Sequence, residues 1–183
     1  MKLVLASQSP RRREILTAAG FEFTIREPRV EEILRAGEYP DDYVRRLAGA
    51  KARAVELGED EVILSADTVV VCAGKVLEKP RDDADAGRML RLLSGREHHV
   101  WTGICVRKAS HEVVEAARSS VHFCELDRHE IAAYVASGEP FDKAGAYAIQ
   151  GLASKFISHI EGEYANVVGL PIALVYRLLK ADL

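Results

Sequence analysis

The sequence predicts an α/β fold with a mixed β-sheet flanked by helices. Three observations predict it. Short apolar runs suited to buried strands, at Leu3–Ala6 and Glu61–Ala66, alternate with segments that carry helix starts and glycine stops. Two long extended segments, about His98 to Arg107 and Val113 to Glu125, sit in the second half. A turn at Ala73-Gly74 marks a hairpin in mid-chain. Interleaving calls for helices on the sheet faces, and hairpins add antiparallel pairs to a parallel framework. No linker composition interrupts residues 1–183, so one domain is expected, with two lobes around a central cleft left open.

The elements follow in order. After Leu3–Ala6 the chain turns at Ser7-Gln8-Ser9. Ser9 is a favourable N-cap and Pro10 suits the first helical position. The helix should reach Ala19 and stop at Gly20, with Ile15, Leu16 and Ala19 forming its apolar face. Phe21 to Ile25 alternates as a strand does. Glu27 to Glu38 is polar and irregular and carries Glu31-Glu32. Pro40-Asp41-Asp42 caps a helix running to about Leu57, with Tyr43, Leu47, Ala50 and Ala54 on one stripe and Lys51 beside it. Glu61–Ala66 ends in Asp67-Thr68 and stays extended through Val71. Lys75 to Leu77 returns as a hairpin partner. Asp82 or Asp83 caps a helix to Ser94. The two long strands are joined near Ser110. Asp127-Arg-His-Glu130 is a capping box for a helix ending at Ser137-Gly138. Phe141 to Gly151 is a loop, Lys155 to Glu161 a strand, and Pro171 opens a closing helix to Ala181.

Composition bounds the function. Hydrophobic content of 48% with 29% charged residues fits an ordinary globular chain. A net charge of −3 argues against a general nucleic-acid binder. No segment approaches the ~20 apolar residues of a membrane span, and no signal-peptide pattern opens the chain. Cys72, Cys105 and Cys124 are odd in number and widely spaced. They read as reduced thiols of a cytoplasmic protein, without zinc-like spacing to the six histidines.

Chemistry concentrates at a few positions. Arg11, Arg12 and Arg13 occupy the first turn of the first helix, the end where the helix dipole is already positive. A bound anion resolves that conflict, because free backbone N–H groups and arginine forks both hold phosphate oxygens. A solvated basic turn is the other reading of the same residues. Asp67 at the exit of an apolar strand suits a general base or metal ligand, or merely an Asx turn. Lys79 is held extended by Pro80 and could present an ammonium to phosphate. Lys51 and the pair Glu31-Glu32 fit a site equally well as a solvated surface.

Several motifs together resemble one family. They are Ser7-Gln-Ser-Pro-Arg-Arg12, the acidic pair at Glu32, Arg46-Leu-Ala-x-x-Lys-Ala52, Ser65-Ala-Asp-Thr-Val69 and Leu77-Glu-Lys-Pro80. Leu93-Ser-Gly95, Thr102-Gly103, Tyr134-Val-Ala-Ser-Gly-Glu-Pro140, Asp142 through Gly151 and Val168-Gly-Leu-Pro171 continue the match. In this order they resemble the Maf nucleoside triphosphate pyrophosphatases nearly end to end. The resemblance implies an elongated α/β fold similar to the inosine triphosphatases, with two lobes around a central cleft. It implies hydrolysis of a nucleoside triphosphate to the monophosphate and pyrophosphate, with a divalent metal, Mg²⁺ or Mn²⁺. Asp67 matches the catalytic acid residue described as the proton acceptor. Ser7, Arg12, Glu32, Lys51 and Lys79 match polar site residues. By their chemistry Glu32 and Asp67 are the expected metal ligands.

The family divides by substrate at three positions, which here are Arg11, Thr68 and Gln150. This combination resembles the branch acting on dTTP and UTP, with CTP or modified pyrimidine nucleotides as further candidates. Gln150 would pair with a pyrimidine edge and Thr68 would crowd the base pocket. Ser65-Ala66 and Glu31 depart from the pattern of many members. The competing expectation is a non-catalytic nucleotide-binding regulator of cell division or septum formation. Neither nucleic acid nor membrane is an expected partner, and a homodimer is an expectation that no stretch of sequence locates.

Overall fold

The computed structural model describes residues 2–109 and 111–181. The strands are β1 (Lys2–Ala6), β2 (Phe23–Arg26), β3 (Glu61–Cys72), β4 (Lys75–Leu77), β5 (Glu97–Arg107), β6 (Glu112–Phe123) and β7 (Ile157–Glu161). The α-helices are α1 (Pro10–Ala18), α2 (Pro40–Arg53), α3 (Asp83–Leu93), α4 (Arg128–Ala136), α5 (Tyr164–Val168) and α6 (Ile172–Ala181). One mixed sheet orders its strands β2-β1-β3-β5-β6-β7, with β4 paired to β3. β1 lies parallel to both neighbours, whereas β4 on β3 and β7 on β6 are antiparallel. The expected α/β class with a mixed, helix-flanked sheet is therefore the observed one.

The chain divides into two compact units. The first comprises Met1–Thr68, Thr102–Ala117 and Gly169–Leu183; the second comprises Val69–Trp101 and Arg118–Val168. In the first unit both sheet faces are covered. Leu3, Leu5, Val62, Leu64, Ile104 and Val106 pack with Leu16 of α1 and with Leu174, Val175, Leu178 and Leu179 of α6. Val4, Ala6, Ile63 and Cys105 pack with Ala48, Ala52 and Val55 around α2. Alternation along each strand sends odd and even residues to different layers, which explains continuous apolar runs rather than alternating ones.

α2 approaches the sheet unusually closely. A Cβ on Gly103 of β5 would lie 2.2 Å from the Val44 carbonyl oxygen. Ser65 of β3 donates its hydroxyl to the Ala48 carbonyl at 2.6 Å. The small residues Gly103, Ser65, Ala48 and Ala52 let backbone meet backbone here.

In the second unit a buried aromatic cluster surrounds His98. Its ring packs edge-on against Phe123 and Tyr147, at centroid distances of 5.0 and 5.3 Å. Its Nε2 shares a 2.8 Å hydrogen bond with the Tyr147 hydroxyl. Burial pushes the His98 pKa down to about 3. His99, next along the strand, turns the other way and is half-buried.

Several element boundaries differ from those expected. α1 ends at Ala18, Ser9 makes no side-chain cap bond, and Ala19 is exposed. β2 begins at Phe23 rather than Phe21. α2 ends at Arg53, short of Leu57, so Ala54 leaves the stripe and is exposed. The strand expected from Lys155 starts at Ile157, after a 3-10 segment over Leu152–Phe156. α5 was not expected. The joint expected near Ser110 lies outside the described residues.

Two outcomes are expected. Gly103→Ala should lower unfolding free energy by at least about 2 kcal/mol in urea denaturation, because the methyl group overlaps main chain that cannot rotate away. His98 titrates near 6.5 when unfolded and near 3 when folded, so the fold binds the proton less well. Stability should be full above pH ~6.5 and fall by up to ~1.4 kcal/mol per pH unit as pH drops toward 3. His98→Gln should remove that one-proton part of the slope in urea titrations run between pH 7 and 4.

Candidate active site

The turn from β1 into α1 builds the first cluster. Ser7, 3% exposed, accepts the Ser9 N–H at 3.2 Å and Arg12 Nη1 at 3.3 Å. Arg12 also donates Nε to the Gly169 carbonyl at 2.8 Å and Nη2 to Thr68 Oγ1 at 3.0 Å. The first turn of α1 contains no acidic residue. Burial lowers the Arg12 pKa from its ordinary value, opposed by Asp67 and Glu32. A guanidinium has five N–H donors, so three bonds leave two for a ligand. Ser7 accepts twice, which leaves its own proton to donate. Arg11 stands half-buried in the same helical turn. The arrangement is that of an anion site, with positive dipole, arginine fork and hydroxyl converging.

The second cluster centres on Lys51 of α2. Its ammonium lies 2.6 Å from Asp67 Oδ1 and 2.6 Å from Glu32 Oε1. Asp67 is 5% exposed, whereas the Glu32 side chain is largely open. Burial raises the Asp67 pKa above its ordinary value; Lys51 and Arg12 pull it back down, and Glu32 pushes it up. Glu32 lies on an irregular loop that Arg46 ties to α2. Arg46 grips Glu38 with two bonds of 2.6 and 2.7 Å and donates to the Ile33 carbonyl at 2.9 Å. Arg46 holds the Glu38 carboxyl down to about 2. The sequence placed Arg46 inside a motif without giving it this role; its position five residues before Lys51 on one helix was the available signal.

Asp67 was expected at the exit of a strand, and there the structure differs. β3 runs unbroken through Asp67 to Cys72, because Val70, Val71 and Cys72 pair with β4. The strand that ends nearby is β1, whose last residue Ala6 pairs with Ser65. Asp67 thus lies just past the carboxyl end of the neighbouring parallel strand, where ligands of α/β sheets gather. Asp67 and Thr68 point to opposite faces of the sheet. Asp67 shares the α2 side with Ile63 and meets Lys51; Thr68 shares the α1 side with Leu64 and meets Arg12. The structure therefore brings Ser7, Arg12 and Thr68 into one network and Glu32, Lys51 and Asp67 into another, joined by consecutive residues of β3.

Lys79 and Gln150 belong to the second unit. Lys79 is exposed in the short segment between β4 and α3. Gln150 is exposed on a loop whose backbone is fixed on both sides. The Tyr134 hydroxyl accepts the Ala148 N–H at 3.2 Å and donates to Glu139 Oε1 at 2.8 Å. Glu139 Oε2 accepts the Leu152 N–H at 2.9 Å. A Cβ on Gly151 would lie 2.4 Å from the Glu139 carboxylate oxygens, so glycine is needed for this grip. Sequence reasoning did not single out Tyr134 or Glu139 as supports, although both lie in a recognised motif.

Glu32 and Asp67 offer hard oxygen donors, and Lys51 engages one oxygen of each. Among the described residues no three or more His, Cys, Asp or Glu gather as a ready-made metal site. Two carboxylates fit a Mg²⁺ ion that shares its remaining ligands with phosphates and water.

Comparisons with known proteins identify the family. A family model described as Maf-like protein matches residues 2–182. The dTTP/UTP pyrophosphatase of Koribacter versatilis (strain Ellin345) is 50% identical over 181 residues, covering 98% of this chain and 94% of that protein. The dTTP/UTP pyrophosphatase of Moorella thermoacetica is 52% identical over 181 residues, covering 97% and 93%. The Ham1 protein of Staphylococcus aureus aligns over 100% of both chains with a TM-score of 0.55 at 14% identity, a likeness of fold. With the family model matching residues 2–182 and relatives at about half identity over nearly the whole chain, this chain belongs to the Maf family.

Proposed function

We propose that this chain is a nucleoside triphosphate pyrophosphatase that hydrolyses dTTP and UTP to the monophosphate and pyrophosphate. CTP and modified pyrimidine nucleotides extend the same reading. The observation that carries it is the adjacency on β3 of a buried, lysine-paired carboxylate and the hydroxyl that holds a phosphate-type arginine. The relatives at about half identity bear the same activity in their names. Residues 1–183 would act as one catalytic domain, and a cytoplasmic location fits the free thiols of Cys72, Cys105 and Cys124.

Cleavage between the α- and β-phosphates asks the protein for positioning and positive charge. Arg12 offers two N–H groups, Ser7 a hydroxyl proton and α1 its N-terminal dipole to phosphate oxygens. Asp67 has one oxygen held by Lys51 and the other available to orient and deprotonate a water. Lys51 pulls the Asp67 pKa down against the effect of burial and adds charge beside the departing pyrophosphate. A divalent ion held by Glu32 and Asp67 would polarise the phosphates when bound. Lys79 is proposed as a further phosphate cation and Gln150 as the base contact, since its amide both donates and accepts. Arg11 joins the substrate-binding set through its place beside Arg12. Every residue named belongs to one chain, so a homodimer would leave this chemistry unchanged. Nothing on the molecule favours the non-catalytic regulator.

Asp67→Asn should cut kcat for pyrophosphate release from dTTP with Mg²⁺ by at least ~10²-fold while circular dichroism stays unchanged. Turnover within a few-fold of the parent would remove Asp67 from the chemistry. Across dTTP, UTP, CTP, GTP and 7-methyl-GTP, kcat/KM should be highest for dTTP and UTP, with pyrophosphate as the product. Orthophosphate as first product, or a preference for 7-methyl-GTP, would refute the assignment.

A further inference from the structure

We infer that Thr102 is a positioning residue for Arg12, and that Thr68 acts through that arginine. The inference rests on the proposed pyrophosphatase reading and deepens it. Thr102 lies on β5, fully buried. Its hydroxyl is 3.0 Å from Thr68 Oγ1. Thr68 Oγ1 receives Arg12 Nη2 at 3.0 Å and donates to the Gly169 carbonyl at 3.4 Å. A threonine hydroxyl has one proton and two acceptor sites. Either threonine can be the donor of their pair, so Thr102 holds the Thr68 hydroxyl in place whichever way the proton lies. Thr68 Oγ1 thus sits among three partners: Arg12, Thr102 and Gly169.

This accounting closes a ring. The Gly169 carbonyl takes Arg12 Nε at 2.8 Å and the Thr68 hydroxyl, using both of its acceptor sites. Arg12 Nε and Nη2 form one edge of the guanidinium, and Gly169 and Thr68 fill that edge as a carboxylate would. Ser7 steadies Nη1 from another side at 3.3 Å. The two free N–H groups are thereby aimed in one fixed direction. Thr102 is the anchor of the ring, because β5 is an interior strand and α2 lies against its next residue, Gly103. The resemblance implies a part for Thr68 in the choice of substrate. Here its hydroxyl is committed to the arginine, so its contribution falls on the phosphates and is common to all nucleotides.

The test replaces the hydroxyl with a methyl of the same shape, Thr102→Val, and restores it with Thr102→Ser. Thr102→Val should lower kcat/KM about tenfold, mainly in kcat, by the same factor for dTTP, UTP and CTP. Thr102→Ser should recover most of it, and both variants should melt within a few degrees of the parent. In an Arg12→Ala background, Thr102→Val should cost less than twofold more, since the group it serves is gone. A full tenfold loss in that background, or a change in the ratio of dTTP to CTP turnover, would overturn the inference. Should Thr102→Val fail to fold, Thr102→Ala carries the same cycle. A readout independent of turnover separates this inference from the activity it rests on. Exchange of the Arg12 Nε proton with solvent, followed by NMR, should quicken at least fivefold in Thr102→Val. Unchanged exchange overturns the positioning role, whereas quickened exchange in a chain that releases no pyrophosphate overturns only the reading of the reaction.

Discussion

The Lys51 ammonium between Glu32 and Asp67 is the constraint on which the site depends. A carboxylate 5% exposed cannot stay ionised without a partner, and its pKa already sits above the ordinary value. Removing the cation would leave a buried charge uncompensated, the costly way to break such a pair. α2 must therefore hold Lys51 at a fixed height above β3, and its close approach over Gly103 and Ser65 does so. Arg46, five residues earlier on the same helix, draws in the loop that brings Glu32. One helix thus holds both carboxylates.

The sheet supplies the second half of the design. Because successive strand residues face opposite ways, Asp67 and Thr68 can address two separate layers without any turn in the chain. The Asp67 carboxylate meets α2, and Arg12 is held from the side of α1 and α6. β3 runs on past this two-sided pivot into its pairing with β4. A loop at the same position would have let the two side chains drift relative to one another.

Much of this was legible in the sequence because it is local. Pro10 after Ser9, the capping box at Asp127, the Ala73-Gly74 hairpin and the apolar run before Asp67 each carry their meaning in a few residues. The resemblance named Ser7, Arg12, Glu32, Lys51, Asp67 and Lys79 without their geometry. What was illegible depends on residues far apart in the chain. The extension through Val71 and the hairpin were legible, but that Asp67 sits inside an unbroken β3 is decided by the pairing with β4. Nothing near Thr102 says that it faces Thr68, 34 residues away. Arg46 reaching Ile33 and Glu139 gripping Leu152 are likewise products of folding over distance. The end of α2 at Arg53 escaped prediction because Ala54 to Leu57 have no strong helix breaker before Gly58.

The main-chain contact between α2 and Gly103 has a consequence for how such a chain can diverge. Elsewhere the distance from helix to sheet is set by the bulk of interdigitating side chains, and each exchange of one apolar residue for another shifts it. Here no side chain stands between the two backbones, so the spacing is insensitive to drift in the surrounding hydrophobic layer. Substitutions can accumulate around that layer while the contact at Gly103 keeps the Lys51 ammonium at its height.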